Sequence, residues 1–81
     1  MKILFVKSAE KELLHLDKNL GKRILNKISL LKNDPYGNSQ KLKGNKGYRI
    51  RIGDYRVVYT IDKKKQTILI IKIGHRRDIY R

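Results

Sequence analysis

The run Tyr48-Arg49-Ile50-Arg51-Ile52-Gly53-Asp54-Tyr55-Arg56-Val57-Val58-Tyr59 constrains the fold more than any other part of the chain. Large apolar and polar residues alternate with period two on both sides of Gly53-Asp54, the pattern of strands that bury one face. Gly followed by Asp suits a two-residue hairpin turn that needs positive φ at its first position. That turn sets a register, with 52 opposite 55, 51 opposite 56, 50 opposite 57 and 49 opposite 58. Tyr48, Ile50, Ile52, Tyr55, Val57 and Tyr59 then share one face. Arg49, Arg51 and Arg56 share the other, and Arg51 stands directly opposite Arg56. Like charges facing each other across a strand pair destabilise a sheet. Three guanidinium groups kept on one small patch against that tendency imply an anionic ligand.

Around the hairpin the pattern predicts a β-α-α-β-β-β order. Residues 2–7 read as a strand, and Ser8 as a helix N-cap with Glu10 and Glu12 near the positive end of the dipole. Ala9, Leu13, Leu16 and Leu20 recur at helical spacing, as do Ile24, Ile28 and Leu31, with Asp17-Lys18-Asn19 turning the chain between them. The expectation is a helical hairpin, roughly 8–17 and 20–33, closed by Asn33-Asp34-Pro35 because Pro and the residue before it resist helix. Residues 34–47 form a polar, Gly-rich connection with Leu42 as its anchor. The hairpin 48–61, a tight turn at Asp62-Lys63-Lys64-Lys65-Gln66 and a last strand 67–73 follow, and the tail leaves the sheet at Gly74. With no repeat and no linker, residues 1–81 are expected to form a single α+β domain. Its small antiparallel sheet would carry the N-terminal helical hairpin on one face, leaving the arginine face open to solvent.

Size and composition narrow the function classes. A chain of 81 residues buries only about 60% of its unfolded surface, and 40% hydrophobic residues suffice for one core layer, not for a deep enclosed substrate cavity. There is no cysteine, hence no disulfide framework and no thiolate chemistry, and a reducing cytoplasm is the expected setting. Apolar runs such as Ile68-Leu69-Ile70-Ile71 are far too short to cross a bilayer, and Met1–Lys7 holds too short an apolar stretch for a secretory signal. No membrane partner is expected. Net charge is +14, from 21 basic and 7 acidic residues, which attracts polyanions over long range. Lysine is scattered throughout, but six of the seven arginines (49, 51, 56, 76, 77 and 81) fall in the segment 49–81. Arginine offers planar, bidentate phosphate recognition, so its distribution marks the phosphate site.

No His, Cys and carboxylate cluster has metal-ligand spacing, since His15 and His75 are isolated and both Glu residues lie in the first helix; neither metal nor cofactor is expected. No Gly-rich phosphate loop is present. Asp54 reads as a turn residue and His15 as an ordinary surface or boundary residue. The constellation that remains is Arg49, Arg51, Arg56, Arg76 and Tyr80, with His75 beside it. It reads as a nucleic-acid contact surface, against the blander reading of a solvated sheet face. Metal-free RNA cleavage needs a base for the 2′-hydroxyl, cations around the developing phosphorane and a donor for the leaving 5′-oxygen. Arginines supply the second role well and the first badly, because guanidinium does not deprotonate in ordinary sites. Tyr80 either stacks on a base or pins the tail to the sheet edge. His75, the one tail residue titrating near neutrality, is either a proton handler or a spacer before Arg76, and the spacer is favoured.

Three blocks in register carry a resemblance: Lys41-Leu42-Lys43-Gly44, then Tyr48 to Tyr59, then Ile73-Gly74-His75-Arg76-Arg77-Asp78-Ile79-Tyr80. With the helical hairpin before them they cover nearly the whole chain, which resembles the RelE/ParE superfamily of toxins from type II toxin–antitoxin modules, and within it the RelE branch. The resemblance implies an endoribonuclease that enters the ribosomal A site and cuts mRNA without metal, by 2′-hydroxyl attack, leaving a 2′,3′-cyclic phosphate and a 5′-hydroxyl. By position, Arg49 and Arg51 match basic residues that activate the 2′-hydroxyl and bind phosphate. Arg56 matches the arginine that stabilises the transition state, Arg76 the one proposed to serve the leaving group, and Tyr80 the tyrosine that stacks on the substrate. Lys41, Lys43, His75, Arg77 and Arg81 would contact RNA or ribosome. Two departures stand out: arginine where some relatives have lysine at the first pair, and no longer C-terminal helix after Tyr80. The implied partners are ribosome and mRNA, an acidic antitoxin whose capture the positive charge would speed, and operator DNA only indirectly, through the antitoxin. A ParE-like inhibitor of DNA gyrase and a non-catalytic basic RNA-binding module are the competing readings.

Overall fold

The computed structural model describes residues 1–37, 39–42 and 47–75. Strand β1 (Lys2–Phe5) is followed by helices α1 (Lys7–Leu14) and α2 (Lys18–Leu30), a two-residue strand β2 (Gln40–Lys41), and strands β3 (Tyr48–Ile52), β4 (Tyr55–Asp62) and β5 (Thr67–His75). They form one five-stranded sheet in the order β1-β5-β4-β3-β2. The helices cover the face bearing Ile50, Val57, Tyr59, Ile68, Ile70 and Ile73. Ala9 from α1 and Ile24 and Ile28 from α2 complete that core. The helical stripe and the period-two pattern are therefore two sides of one layer, an α+β arrangement as expected.

The hairpin forms in the expected register, with Ile52 opposite Tyr55, Arg51 opposite Arg56, Ile50 opposite Val57 and Arg49 opposite Val58. Gly53 has φ +59, the left-handed conformation that the first turn position requires and that glycine adopts without Cβ strain. The sheet is mixed where an antiparallel one was expected. β1 runs parallel to β5, with Ile3 opposite Ile68 and Phe5 opposite Ile70. Helices α1 and α2 return the chain across one face, and the hairpin then brings β5 alongside β1 in the same direction.

Several boundaries differ from the expected ones for local reasons. Ser8 does not cap α1. The Val6 N–H donates to the Ile70 carbonyl at 3.0 Å while the Val6 carbonyl accepts from Glu10, so Val6 is the N-cap and passes directly from sheet to helix. α2 ends at Leu30, with the next residues held by i→i−3 bonds such as Leu31 N–H to the Ile28 carbonyl. β5 extends through His75 instead of leaving the sheet at Gly74. The connection after α2 is also anchored by aromatic residues: the Tyr59 hydroxyl donates to the Pro35 carbonyl at 2.8 Å, and Tyr36, Tyr48 and Tyr59 contact in sequence with centroids 5.4 and 5.8 Å apart.

One irregularity governs the site. Tyr59 pairs with Ile70 but Val58 pairs with Lys72, leaving Ile71 as an extra residue in β5. Such a bulge reverses the face on which every later side chain of the strand emerges. Beyond it, Ile73 and His75 point to the helix side while Gly74 lies on the arginine face.

Candidate functional site

The arginine face is built by register. Arg49 and Arg51 leave β3 on the side away from the helices, Arg56 leaves β4 on the same side, and Gln40 of β2 stands opposite Arg49. The Arg49 guanidinium donates to Gln40 Oε1 from Nε at 3.2 Å and from Nη2 at 2.7 Å, a fork that fixes its orientation. Gln40, Arg49, Arg51 and Arg56 line a cavity of about 250 Å³. This lies below the roughly 300–1,000 Å³ of pockets that enclose a free small molecule. It suits one anionic group presented by a larger ligand.

Arg51 is exposed, but Arg56 is only 2% exposed, so the expectation of an open arginine face holds for one of the two facing residues and not the other. A guanidinium removed from water binds an oxyanion more strongly, because the same charges act through a lower dielectric. Opposite Arg56 on β5 is Gly74, which puts no side chain in front of it.

Other expected site residues fall elsewhere. His75 pairs with Tyr55 on the helix side, their rings edge to face at 5.4 Å, and shares a second cavity with Lys11, Glu12, His15 and Leu16. It is on the opposite side of the sheet from Arg51 and Arg56. Lys41 pairs with Tyr48 and also lies off the arginine face, lining a small cavity with Gly47, Tyr48, Thr60 and Ile61. Lys43, Arg76, Arg77, Tyr80 and Arg81 lie outside the described residues. Gln40 was not foreseen: a two-residue strand leaves no periodicity to read, and only its register with Arg49 reveals it.

The Tyr59 phenol of the core is perturbed. Burial raises the Tyr59 phenol above its ordinary value of 10.0; the Ser39 hydroxyl opposes this, and Tyr48, Asp34 and Tyr36 add to it. Among the described residues, no three His, Asp or Glu side chains gather closely enough to hold a metal ion, and no helix is long and apolar enough to cross a membrane.

Residues 3–80 match the family described as the ParE toxin of the type II toxin–antitoxin system parDE. Toxin RelE3 of Methanocaldococcus jannaschii is 38% identical over 86 residues, covering 99% of this chain and 96% of its own. Among solved structures, the archaeal RelE–RelB complex of Pyrococcus horikoshii superposes with TM-score 0.81 at 32% identity, over 93% of each chain. The toxin–antitoxin complex RelBE2 of Mycobacterium tuberculosis superposes with TM-score 0.83 at 23% identity, over 93% of this chain and 96% of that one, a likeness of fold.

Proposed function

Since the chain belongs to the RelE/ParE superfamily of type II toxin–antitoxin toxins, we propose that it is a ribosome-dependent endoribonuclease that cuts mRNA in the ribosomal A site and stops translation. The observation that carries this reading is the cavity in which Arg51 and the buried Arg56 face each other. In the proposed reaction the 2′-hydroxyl oxygen attacks the adjacent phosphorus as its proton passes to solvent water. The bond from phosphorus to the 5′-oxygen breaks, and that oxygen takes up a proton from water, leaving a 2′,3′-cyclic phosphate and a 5′-hydroxyl. Arg51 and Arg56 would hold the non-bridging oxygens as negative charge develops, the setting in which preorganised donors contribute most. Arg49, braced by Gln40, would guide the neighbouring phosphate.

Arg76 follows His75 directly in the chain, two residues beyond the Gly74 that stands opposite Arg56, which favours it as a hydrogen-bond donor that stabilises charge on the leaving oxygen, with Tyr80 stacking on the base. Guanidinium groups do not accept the 2′-hydroxyl proton, so this patch contributes charge stabilisation and positioning. Dependence on the ribosome then has a physical basis, because the A site would supply the aligned backbone that the small open cavity does not impose.

The partners of this reading are ribosome, mRNA and a cognate acidic antitoxin. The +14 charge and exposed Leu14 and Leu30 supply both a steering field and apolar anchors for such an antitoxin. The match to a ParE family supports a second reading, a protein-directed toxin acting on DNA gyrase.

Mapping mRNA 5′ ends on translating ribosomes after brief expression separates the two. An endoribonuclease gives 5′ ends within A-site codons that vanish with Arg76→Ala. Arrested growth with intact mRNA and induced DNA-damage signalling would instead support the protein-directed toxin.

A further inference from the structure

Arg23, the one arginine outside the segment 49–81, returns to the site in space. It lies on α2 with Asn26 and Lys27 at i, i+3 and i+4, a single helix face. These three line a cleft of about 380 Å³ with Arg51, Ile52 and Gly53 at the hairpin tip. The Arg23 Nη2 atom approaches to 3.8 Å from the position a Cβ on Gly53 would take. Arg51 lines both this cleft and the arginine cavity, so the two share a wall and form one cationic track around the end of the hairpin. Among the described residues, no carboxylate lines either cavity; the nearest acid along the chain, Asp54, sits exposed at the second turn position.

We propose that the Arg23–Asn26–Lys27 cleft is a second backbone-phosphate subsite for RNA, continuous with the arginine cavity through Arg51. The proposal rests on the reading of this protein as an RNA-cutting toxin and adds where the strand beyond the reacting phosphate is held. The chemistry favours nucleic acid over an acidic protein segment. Two guanidinium groups, an ammonium and a carboxamide offer many donors, whereas among the described residues Ile52 is the one apolar side chain in the lining, and protein interfaces are anchored by buried apolar and aromatic groups. Like charges at i and i+4 on a helix are mildly destabilising, and placing Arg51 beside Arg23 and Lys27 adds to that unless an anion lies between them. The RNA phosphates could come from mRNA or from ribosomal RNA.

The test compares the full chain with the double variant Arg23→Gln/Lys27→Gln and with the charge-preserving Arg23→Lys/Lys27→Arg. Binding to a single-stranded RNA oligonucleotide is followed by fluorescence anisotropy across a salt series, and binding to purified ribosomes by co-sedimentation. Each lost phosphate contact lowers the salt slope of single-strand binding by about 0.7, so the Gln variant should lose about 1.4 from the slope and bind several-fold more weakly, with the charge-preserving variant near wild type. Loss on the oligonucleotide assigns the phosphates to mRNA; loss confined to ribosomes assigns them to ribosomal RNA. Equal slopes and equal ribosome binding for the Gln variant and wild type overturn the subsite, as does an equal loss in the charge-preserving variant. If the Gln variant loses only capture by the co-expressed antitoxin, the cleft is a protein contact and the proposal is wrong. If wild type binds RNA through the cleft yet leaves no cleaved mRNA, the endoribonuclease reading fails while the subsite stands. If wild type cleaves and the variants bind alike, the subsite alone fails.

Discussion

Replacing Arg51 by Thr should stabilise the fold while weakening its hold on RNA. Arg51 stands opposite Arg56, and Cβ atoms of directly opposed residues in an antiparallel pair lie about 4.5–5.5 Å apart. Two unit charges near 5 Å repel by about 0.8 kcal/mol at the dielectric of water, within the roughly 0.2–1 kcal/mol found for cross-strand pairs. Splaying of the long side chains lowers this figure, and burial of Arg56 raises it. Thr is a favourable strand residue, so the net gain should be about 0.5–1 kcal/mol at low salt. For a domain of this size that is a rise in Tm of roughly 2–8 °C. Thermal melts by circular dichroism at about 20 mM and about 1 M NaCl check the cause, because a Debye length near 3 Å at the higher salt should remove most of the gain.

The same melts with a saturating RNA oligonucleotide should reverse the ranking. A ligand at 100 times its Kd stabilises the native state by about 2.7 kcal/mol, more than the repulsion it neutralises, and Arg51→Thr should receive less of it. A variant less stable than wild type at low salt would refute the reasoning. So would a gain that persists unchanged at high salt, or equal stabilisation of both proteins by RNA.

Tyr59→Phe removes the 2.8 Å hydrogen bond to the Pro35 carbonyl and should cost about 1 kcal/mol in urea unfolding at neutral pH. Because burial raises the folded-state phenol above 10.0, the stability tied to the neutral phenol is intact below pH about 10 and is lost as pH rises through the folded value. The advantage of wild type over Tyr59→Phe should therefore hold up to pH about 10 and shrink as pH rises above it. His75→Phe, which keeps an aromatic ring against Tyr55, should retain mRNA cleavage in the ribosome assay, since the arginine cavity proposed to take the reacting phosphate is on the other side of the sheet. Proton transfer by His75 would instead make the loss about 10²–10⁴-fold.

The hairpin was legible because two independent signals, period-two alternation and Gly53-Asp54, specify the same register. Other features were hidden for identifiable reasons. Ile68 to Ile71 are all apolar, so no alternation betrays the extra residue at Ile71, and the facing of everything after it is undetermined from sequence. That single residue decides that His75 meets Tyr55 and α1 instead of the arginines. The parallel pairing of β1 with β5 joins the two ends of the sheet-forming chain, a long-range contact that local pattern does not encode. The burial of Arg56 was missed because alternation tells which face a side chain leaves from, not what lies above that face.

The bulge also explains how core and site coexist on one strand. Continuing the regular pairing from Tyr59 and Ile70 would set Val57 opposite Lys72 and Arg56 opposite Ile73. An ammonium would then enter the helix-covered core, where an unpaired charge is expensive, and a branched apolar side chain would stand before the Arg56 guanidinium. With Ile71 as the extra residue, Ile73 reaches the core fully buried, Lys72 faces outward, and Gly74 comes opposite Arg56. The core thus requires the irregularity, and the same irregularity puts a residue without a side chain opposite the buried Arg56. Departures from regular sheet rules tend to be kept where function needs them. Here the opposed arginines and the bulge lie on adjoining strands of one face, and the proposed anion site depends on both.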